Sequence, residues 1–395
     1  MTTTRDEQST PTAVRLHLAF DLGWGEWKLA FTVGHGQPPR LRTIRARDLE
    51  ALGREVARAK ARFGLPADAA VVSCYEAGRD GFWLHRWLIA QGIDNRVVDS
   101  SSIEVNRRSR RAKSDRLDAG KLVTMLLRYH AGETKVWSVC RVPDVADEDR
   151  RRLHRELIEL KDERTRHINR IKGLLANQGV AVATVDASFA AWLDEVRLWD
   201  GSELGADLKG QLLREHARWQ FVDRQVRDLE GERNKRIRRD DTPPVGRVRR
   251  LLELSGVGLN GAWLLVFELF GWRRINNRKE LGAMVGLTPT AYQSGSSSHE
   301  QGISGAGNRR VRRVLVELAW CWLRWQPDSA LSHWYVRRFG VGQRARKVGI
   351  VALARKLLIA LWRWLEHGEL PAGARTCPWR PKVNGVPKGT GACGR

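Results

Sequence analysis

Two kinds of apolar spacing divide the chain. Near the N-terminus, Arg15 to Leu22 (RLHLAFDL) and Glu26 to Val33 carry apolar residues in the manner of strands, and Gly23-Trp24-Gly25 between them predicts a hairpin. Leu41 to Arg45 suits a third strand. Asp48 to Phe63 has the spacing of an amphipathic helix, and Ala70 to Glu76 (AVVSCYE) is the continuous apolar run of a strand inside a sheet. Phe82 to Gln91 then predicts a helix and Arg96 to Asp99 a short strand. A last helix begins near Ser114, a good N-cap, and continues through Asp118 to about Tyr129.

Beyond this point the pattern changes to charged sequence with apolar residues at helical spacing. Val145 to Gln178 (through Leu153, Leu157, Leu160, Ile168, Ile171, Leu174 and Leu175) and Ala206 to Arg239 predict two long helices, paired as an antiparallel coiled coil. The segment Asp241-Thr-Pro-Pro-Val-Gly246 breaks that pattern and predicts a linker into a second compact, mainly helical domain over 247–367. Residues 1–13 and a basic tail over 368–395 are expected to lack fixed structure. The order βββαβαβα over 14–137 is that of an RNase H-like α/β domain, with the coiled-coil region following over 138–240.

Composition adds a partner to this outline. The 395 residues are 42% apolar, enough for a sizeable core, and 69 Lys and Arg against 45 Asp and Glu leave a formal charge of +24. Such a charge repels itself unless a polyanion is at hand, so nucleic acid is the expected partner. The bases are spread in clusters: Arg107, Arg108, Arg110, Arg111 and Lys113; Arg233, Lys235, Arg236, Arg238 and Arg239; Arg309, Arg310, Arg312 and Arg313. Five scattered cysteines without a C-x-x-C pair indicate neither a disulfide framework nor a zinc knuckle, which suits a reducing cytosol. No window approaches a membrane span, and the expected place is the bacterial cytoplasm, at the nucleoid.

The candidate chemistry begins with carboxylates. Asp21 ends the first strand, Glu76 ends another, and Asp115 and Asp118 lie one turn apart at the start of a helix expected to pack on the sheet. Taken singly, each has an ordinary reading as a turn residue or a helix-dipole partner. Converging at one end of the sheet, four carboxylates would repel one another, and two Mg²⁺ or Mn²⁺ ions ~4 Å apart would relieve that repulsion while activating a phosphodiester.

The segments FDLGWGEWKLA, YEAGRDGFWL and KSDRLDAGKLV resemble the D, E and D-x-x-D blocks of the DEDD transposases of bacterial insertion sequences (family one-hundred-ten), whose N-terminal domain is similar to the RuvC junction resolvase. In the second domain, Ser255-Gly256-Val257-Gly258 before an apolar run suggests a helix-hairpin-helix turn, with Gly256 and Gly258 offering backbone N–H groups to a phosphate, or simply a tight turn. From the residues alone, the stretch from Gly286 to Asn308 is a flexible Ser/Gly loop with no visible Ser–His–Asp arrangement. Yet GLTPTAYQSGSSSHEQGISGAGNRRVRRVLVELAW resembles the C-terminal signature of the same family, whose members are bridge-RNA-guided recombinases.

The resemblance implies a nucleophile at Ser294, with Ser296, Ser297 and Ser298 as rivals in the same run. It also implies a covalent phosphoserine aided by Mg²⁺, a structured guide RNA that chooses donor and target DNA, and a dimer or tetramer. Arg309, Arg310, Arg312 and Arg313, on a helix capped by Asn308, suit phosphate clamping or a solvated face; Val311, Val314, Leu315 and Leu318 form its buried stripe. Trp320, Trp322 and Trp325 are expected to pack rather than to stack on bases. Two other readings remain open: a metal-only nuclease or junction resolvase, and a non-catalytic nucleic-acid scaffold.

Overall fold

The computed structural model describes residues 14–103, 115–294 and 297–378, the side chains at 101, 115–118 and 290–301 excepted. The chain forms two compact units, Met1–Val142 and Pro143–Arg395. The N-terminal unit is a mixed α/β sheet domain and the second is almost wholly helical.

Strands β1 (Leu16–Leu22), β2 (Glu26–Thr32), β3 (Arg40–Arg45), β4 (Val71–Glu76) and β5 (Asp94–Val98) form one sheet in the order β3-β2-β1-β4-β5. The first three are antiparallel neighbours, whereas β4 and β5 run parallel to β1. Each parallel connection carries a helix: α1 (Leu49–Arg62) leads to β4 and α2 (Trp83–Ala90) to β5. The Asp48 carboxylate accepts from the Ala51 amide at 2.8 Å and caps α1.

The period of two along β1 explains the layers. Leu16, Leu18 and Phe20 pack with Leu52, Ala59, Leu84 and Leu88 of α1 and α2. Ala19, with Val72 and Cys74 of β4, packs on the other face against Ala119, Leu122 and Leu126 of α3 (Asp115–His130). β5 starts two residues before the expected Arg96, because Asp94 pairs with Val72. The expected Ser114 cap and the cluster Arg107, Arg108, Arg110, Arg111 and Lys113 lie outside the described residues, as do 1–13 and 379–395.

The second unit opens with α4 (Val145–Arg150) and α5 (Arg152–Ala176), so the first expected long helix is broken at Arg151. Helix α5 pairs with α7 (Ala206–Arg239). Lys161 meets Glu230 at 2.5 Å, Arg164 meets Asp223 at 2.8 Å and Arg170 meets Glu215 at 2.9 Å. One series rises as the other falls, so the pair is antiparallel, as its spacing predicts. An unexpected helix, α6 (Phe189–Glu195), closes the far end by burying Phe189 and Leu193 with Ile171, Leu175 and Leu212.

The expected linker 241–246 is corrected by α8 (Pro243–Leu252), which begins at the proline pair. Proline in a helix's first turn loses no hydrogen bond, and Val245 and Val248 are buried in the core of the unit. That core also takes α9 (Leu259–Leu265), a π-helical turn over Val266–Phe270, α10 (Arg278–Met284), α11 (Arg309–Trp325), α12 (Ala330–Phe339) and α13 (Gln343–His367).

The first part of the expected tail is corrected too, because 369–378 packs back. The Cys377 amide donates to the Glu253 carbonyl at 2.8 Å and the Ala330 amide to the Ala372 carbonyl at 2.9 Å. No helix among the described residues is long and apolar enough to cross a membrane.

Candidate active site

The parallel register of β1 and β4 sets the first site. Phe20 is opposite Tyr75, so the next positions, Asp21 and Glu76, stand side by side where the strands end. Both share the alternation of Ala19 and Cys74, which puts them on the face covered by α3. They line one cleft of about 260 Å³ together with Gly78, Arg79, Asp80 and Leu122 of α3. Asp118 lies one helical turn before Leu122 on α3, and Asp115 opens that helix; their side chains lie outside the described residues. Backbone placement therefore brings the start of α3 to the same end of the sheet as Asp21 and Glu76. Among the described residues no three His, Cys, Asp or Glu side chains form a metal-binding group.

The cleft also holds residues with no place in the D, E and D-x-x-D pattern. Asp80 is almost fully enclosed and pairs with Arg47 at 3.0 Å and Arg79 at 3.6 Å, so its charge is already balanced. Lys28 faces Asp21 across the β1–β2 pairing and lines a neighbouring groove of about 510 Å³ with Leu41, Arg42, Thr43 and Ala119. A base opposite a strand-end carboxylate offsets part of that charge. The alternation of β2 could have revealed Lys28, since Ala30 on the same face is buried against α3.

The serine run is corrected from a loop to a hairpin. Strands β6 (Pro289–Ser294) and β7 (Ser297–Ile303) are antiparallel, with Ser294 opposite Ser297. Ser294 is the last residue of β6, and only Gly295 and Ser296, outside the described residues, separate it from β7. Ser297 and Ser298 begin β7; no side chain of the run is described.

The base of this hairpin is clamped. The Ser304 amide donates to the Thr288 carbonyl at 2.9 Å and the Asn308 amide to the Met284 carbonyl at 3.0 Å. Gly286 (φ +67°) and Gly307 (φ +74°) cross there so closely that a Cβ would lie 2.0 Å from the Ala306 oxygen and 2.1 Å from the Met284 oxygen, respectively. Only glycine allows that approach.

A buried charge anchors the exit strand. Asn308 caps α11, its Oδ1 accepting from the Arg310 and Val311 amides, while its Nδ2 donates to Glu268 at 3.1 Å. Glu268, 4% exposed in the π-helical turn, accepts two bonds from Arg155 of α5 at 2.6 and 2.9 Å. Burial pushes its carboxyl up, but Arg155, Arg151 and Asn308 outweigh this and hold it below the usual range.

The arginine cluster of α11 divides. Arg312 donates to the carbonyls of Val285 and Ala306 at 3.0 and 2.9 Å and so ties the hairpin base together. Arg309, Arg310 and Arg313 are exposed; Arg310 meets Glu159 at 3.5 Å and Arg313 meets Glu317 at 3.1 Å. Surface pairs of that kind contribute about 0–1 kcal/mol and yield readily to a phosphate. Of the expected helix stripe, Val311, Leu315 and Leu318 are buried and Val314 is half-buried. Trp322 is fully buried as expected, whereas Trp320 and Trp325 are half exposed.

Gly256 takes φ +87°, and a Cβ on it would sit 3.1 Å from Trp325 Cβ, so close packing on α11 requires it. The Ser255 amide beside it donates to the Arg375 carbonyl. Gly258 precedes α9 with open space around it.

Comparison with known proteins bears on both units. A family model described as "Transposase IS116/IS110/IS902 family" matches residues 248–333. A putative transposase, y4rJ, of Sinorhizobium fredii is 39% identical over 95% of this chain and 99% of its own length. The transposase for insertion sequence element IS1328 of Yersinia enterocolitica is 28% identical over 55% of this chain and 63% of its own. That for IS1111A of Coxiella burnetii is 23% identical over 72% of this chain and 75% of its own.

Proposed function

Because the chain belongs to the IS116/IS110/IS902 family of transposases, and is therefore a DNA transposase, we propose that its chemistry is divided between Ser294 and the carboxylates Asp21, Glu76, Asp115 and Asp118. The observation that carries the carboxylate half is the β1–β4 register, which puts Asp21 and Glu76 in one cleft on the α3 face. Strand order β3-β2-β1-β4-β5, with acids at the ends of β1 and β4, supports an RNase H-like reading of the unit.

Carboxylate oxygens are hard donors that suit Mg²⁺ or Mn²⁺, so the donor set fits such an ion. Asp21, Glu76, Asp115 and Asp118 would hold it, and when bound it supplies charge neutralisation at the phosphate. In this reading the Ser294 hydroxyl oxygen forms a bond to phosphorus as the bond to the sugar oxygen breaks. The phosphoserine conserves the energy of the broken bond for rejoining. Ser294 ends a strand whose base is held by the Gly286–Gly307 crossing and by Arg312, a scaffold suited to positioning a nucleophile.

The exposed arginines Arg309, Arg310 and Arg313, the cluster Arg107–Lys113 and Gly258 would contact phosphates. A structured non-coding (bridge) RNA would select donor and target, with the enzyme acting as a dimer or tetramer; the charge of +24 supports two nucleic-acid partners.

The test is covalent capture. On a suicide DNA substrate, Ser294→Ala should lose the adduct and all rejoining, and peptide mapping of the wild-type adduct should place the phosphate on Ser294. Asp21→Asn should abolish cleavage while still binding DNA, because a ligand of the ion is lost and the basic surface is not. Mapping to Ser296, Ser297 or Ser298 moves the nucleophile within the run; full recombination by Ser294→Ala with no adduct favours a metal-only nuclease.

A further inference from the structure

An aromatic ring stands in solvent beside the carboxylate cleft. Trp24 is 69% exposed, whereas Trp27 and Trp137 of the same unit are buried and Trp83 and Trp87 half-buried. It sits in the β1–β2 connection three residues after Asp21, a chain length that reaches at most ~11 Å.

Two guanidinium groups lie against its ring, Arg47 at 5.0 Å and Arg79 at 4.8 Å from the ring centroid. Arg79 also lines the cleft that holds Asp21 and Glu76. Asp80, enclosed between them, fixes both cations at 3.0 and 3.6 Å. Arg47 further donates to the Trp24 carbonyl at 3.4 Å. Its backbone takes φ +67°, the one non-glycine residue with positive φ among those described. A side chain is sterically disfavoured in that region, so the fold maintains Arg47 here against its own preference.

Core packing does not account for the arrangement, because so exposed an indole buries little apolar area. An indole face with guanidinium groups beside it is, however, the set that grips an unpaired nucleotide: the ring stacks on the base and the cations meet the phosphates. We propose that Trp24, with Arg47 and Arg79, forms a stacking platform for an unpaired base of the DNA strand whose phosphodiester enters the Asp21–Glu76 cleft. The assignment rests on the carboxylate reading above for the strand's direction of approach. It implies that the duplex opens next to the reacting phosphate and that the enzyme prefers DNA already unpaired there.

Binding to two DNA probes tests it, using the full-length protein without divalent ions so that no cleavage occurs. One probe is a duplex with a short single-stranded gap containing 2-aminopurine, and the other is the same sequence fully paired. Wild-type protein should favour the gapped probe and quench the 2-aminopurine. Trp24→Ala should bind the gapped probe about tenfold more weakly, bind the paired probe within about twofold of wild type, and lose the quenching. Trp24→Phe should keep most of both.

Equal losses on the two probes, or no loss on either, would each overturn the platform. Asp21→Asn keeps the two readings apart. Should it retain gap preference but still cleave at the normal rate with Mg²⁺, the carboxylate assignment fails and the platform stands. Should it abolish cleavage while Trp24→Ala changes nothing, the platform alone fails.

Discussion

The two candidate sites are fixed in different ways. Asp21 and Glu76 owe their places to strand register: a one-residue slip of either strand would turn its acid to the opposite face and break the core of alternating Leu16, Leu18 and Phe20. Ser294 ends a strand of a two-stranded hairpin instead. Its hairpin is held at the base by two crossing glycines, by Arg312, and by a chain of polar contacts from Asn308 through Glu268 to Arg155 on α5. One site is thus secured by the hydrophobic interior and the other by a buried charge, and the second device carries a risk that the first does not.

That difference gives the largest expected effect on stability. Arg155→Met should leave Glu268 buried with Asn308, at 3.1 Å, as its remaining hydrogen-bond partner among the described residues, destabilising the second unit by about 3–5 kcal/mol. Hydrogen exchange should register the loss across α9 to α11 and leave β1 and β4 protected as in wild type. The deficit should shrink in acid, because an unpaired Glu268 takes up a proton. Equal loosening of both units would erase the distinction between the two anchors.

The contrast also explains what the sequence made legible. Strands β1 to β4 and helix α1 fall within a residue or so of their expected bounds, since apolar period and the Asp48 cap are local signals. The pairing of Asp21 with Glu76 followed from topology once the strands were placed. The hairpin of β6 and β7 was hidden because its Ser-rich strands carry almost no apolar alternation, so Ser294 stood out only by resemblance.

Pro243-Pro244 misled as a linker: the same residues break a helix inside it and start one at its N-terminus, and the buried Val245 and Val248 decide between the two. Glu268 was invisible for another reason. Its partners Arg155 and Asn308 lie far away in sequence, and a lone acid in the run VFELF gives no sign of them.

Acid provides the next comparison, because each unit buries a histidine. Burial, then His130 and Arg15, lower His17 from 6.5 to about 4. Burial, then Arg233, lower His154 from 6.5 to about 3, with Glu268 opposing and Lys161 adding to the shift. Both folded values are depressed, so the unfolded chain binds protons first as pH falls. The stability each neutral ring maintains is complete above 6.5 and declines from there toward about 4 for His17 and about 3 for His154. At pH 5 either site should cost about 2 kcal/mol relative to neutral pH. Melting temperature against pH should fall through this window, and His17→Asn and His154→Asn should each flatten the fall in its own unit. A flat wild-type profile from pH 7 to 4.5 would remove both contributions.

The smallest effect separates members of one cluster on α11. Arg309 is exposed at the helix start, whereas Arg312, one turn on, is spent on the Val285 and Ala306 carbonyls. If exposed members meet DNA phosphates, Arg309→Ala should lower the slope of log affinity against log salt by about one and leave the melting temperature alone. Arg312→Ala should do the reverse. It should lose two hydrogen bonds at the hairpin base, lower the melting temperature by roughly 2–4 °C per kcal/mol lost, and keep the salt slope. Titrations at several salt concentrations beside thermal melts would show both. A reduced slope for Arg312→Ala together with an unchanged one for Arg309→Ala would mean that the hairpin base opens on DNA and releases Arg312 to the phosphates, making the serine anchor a movable one, unlike the register that fixes Asp21 and Glu76.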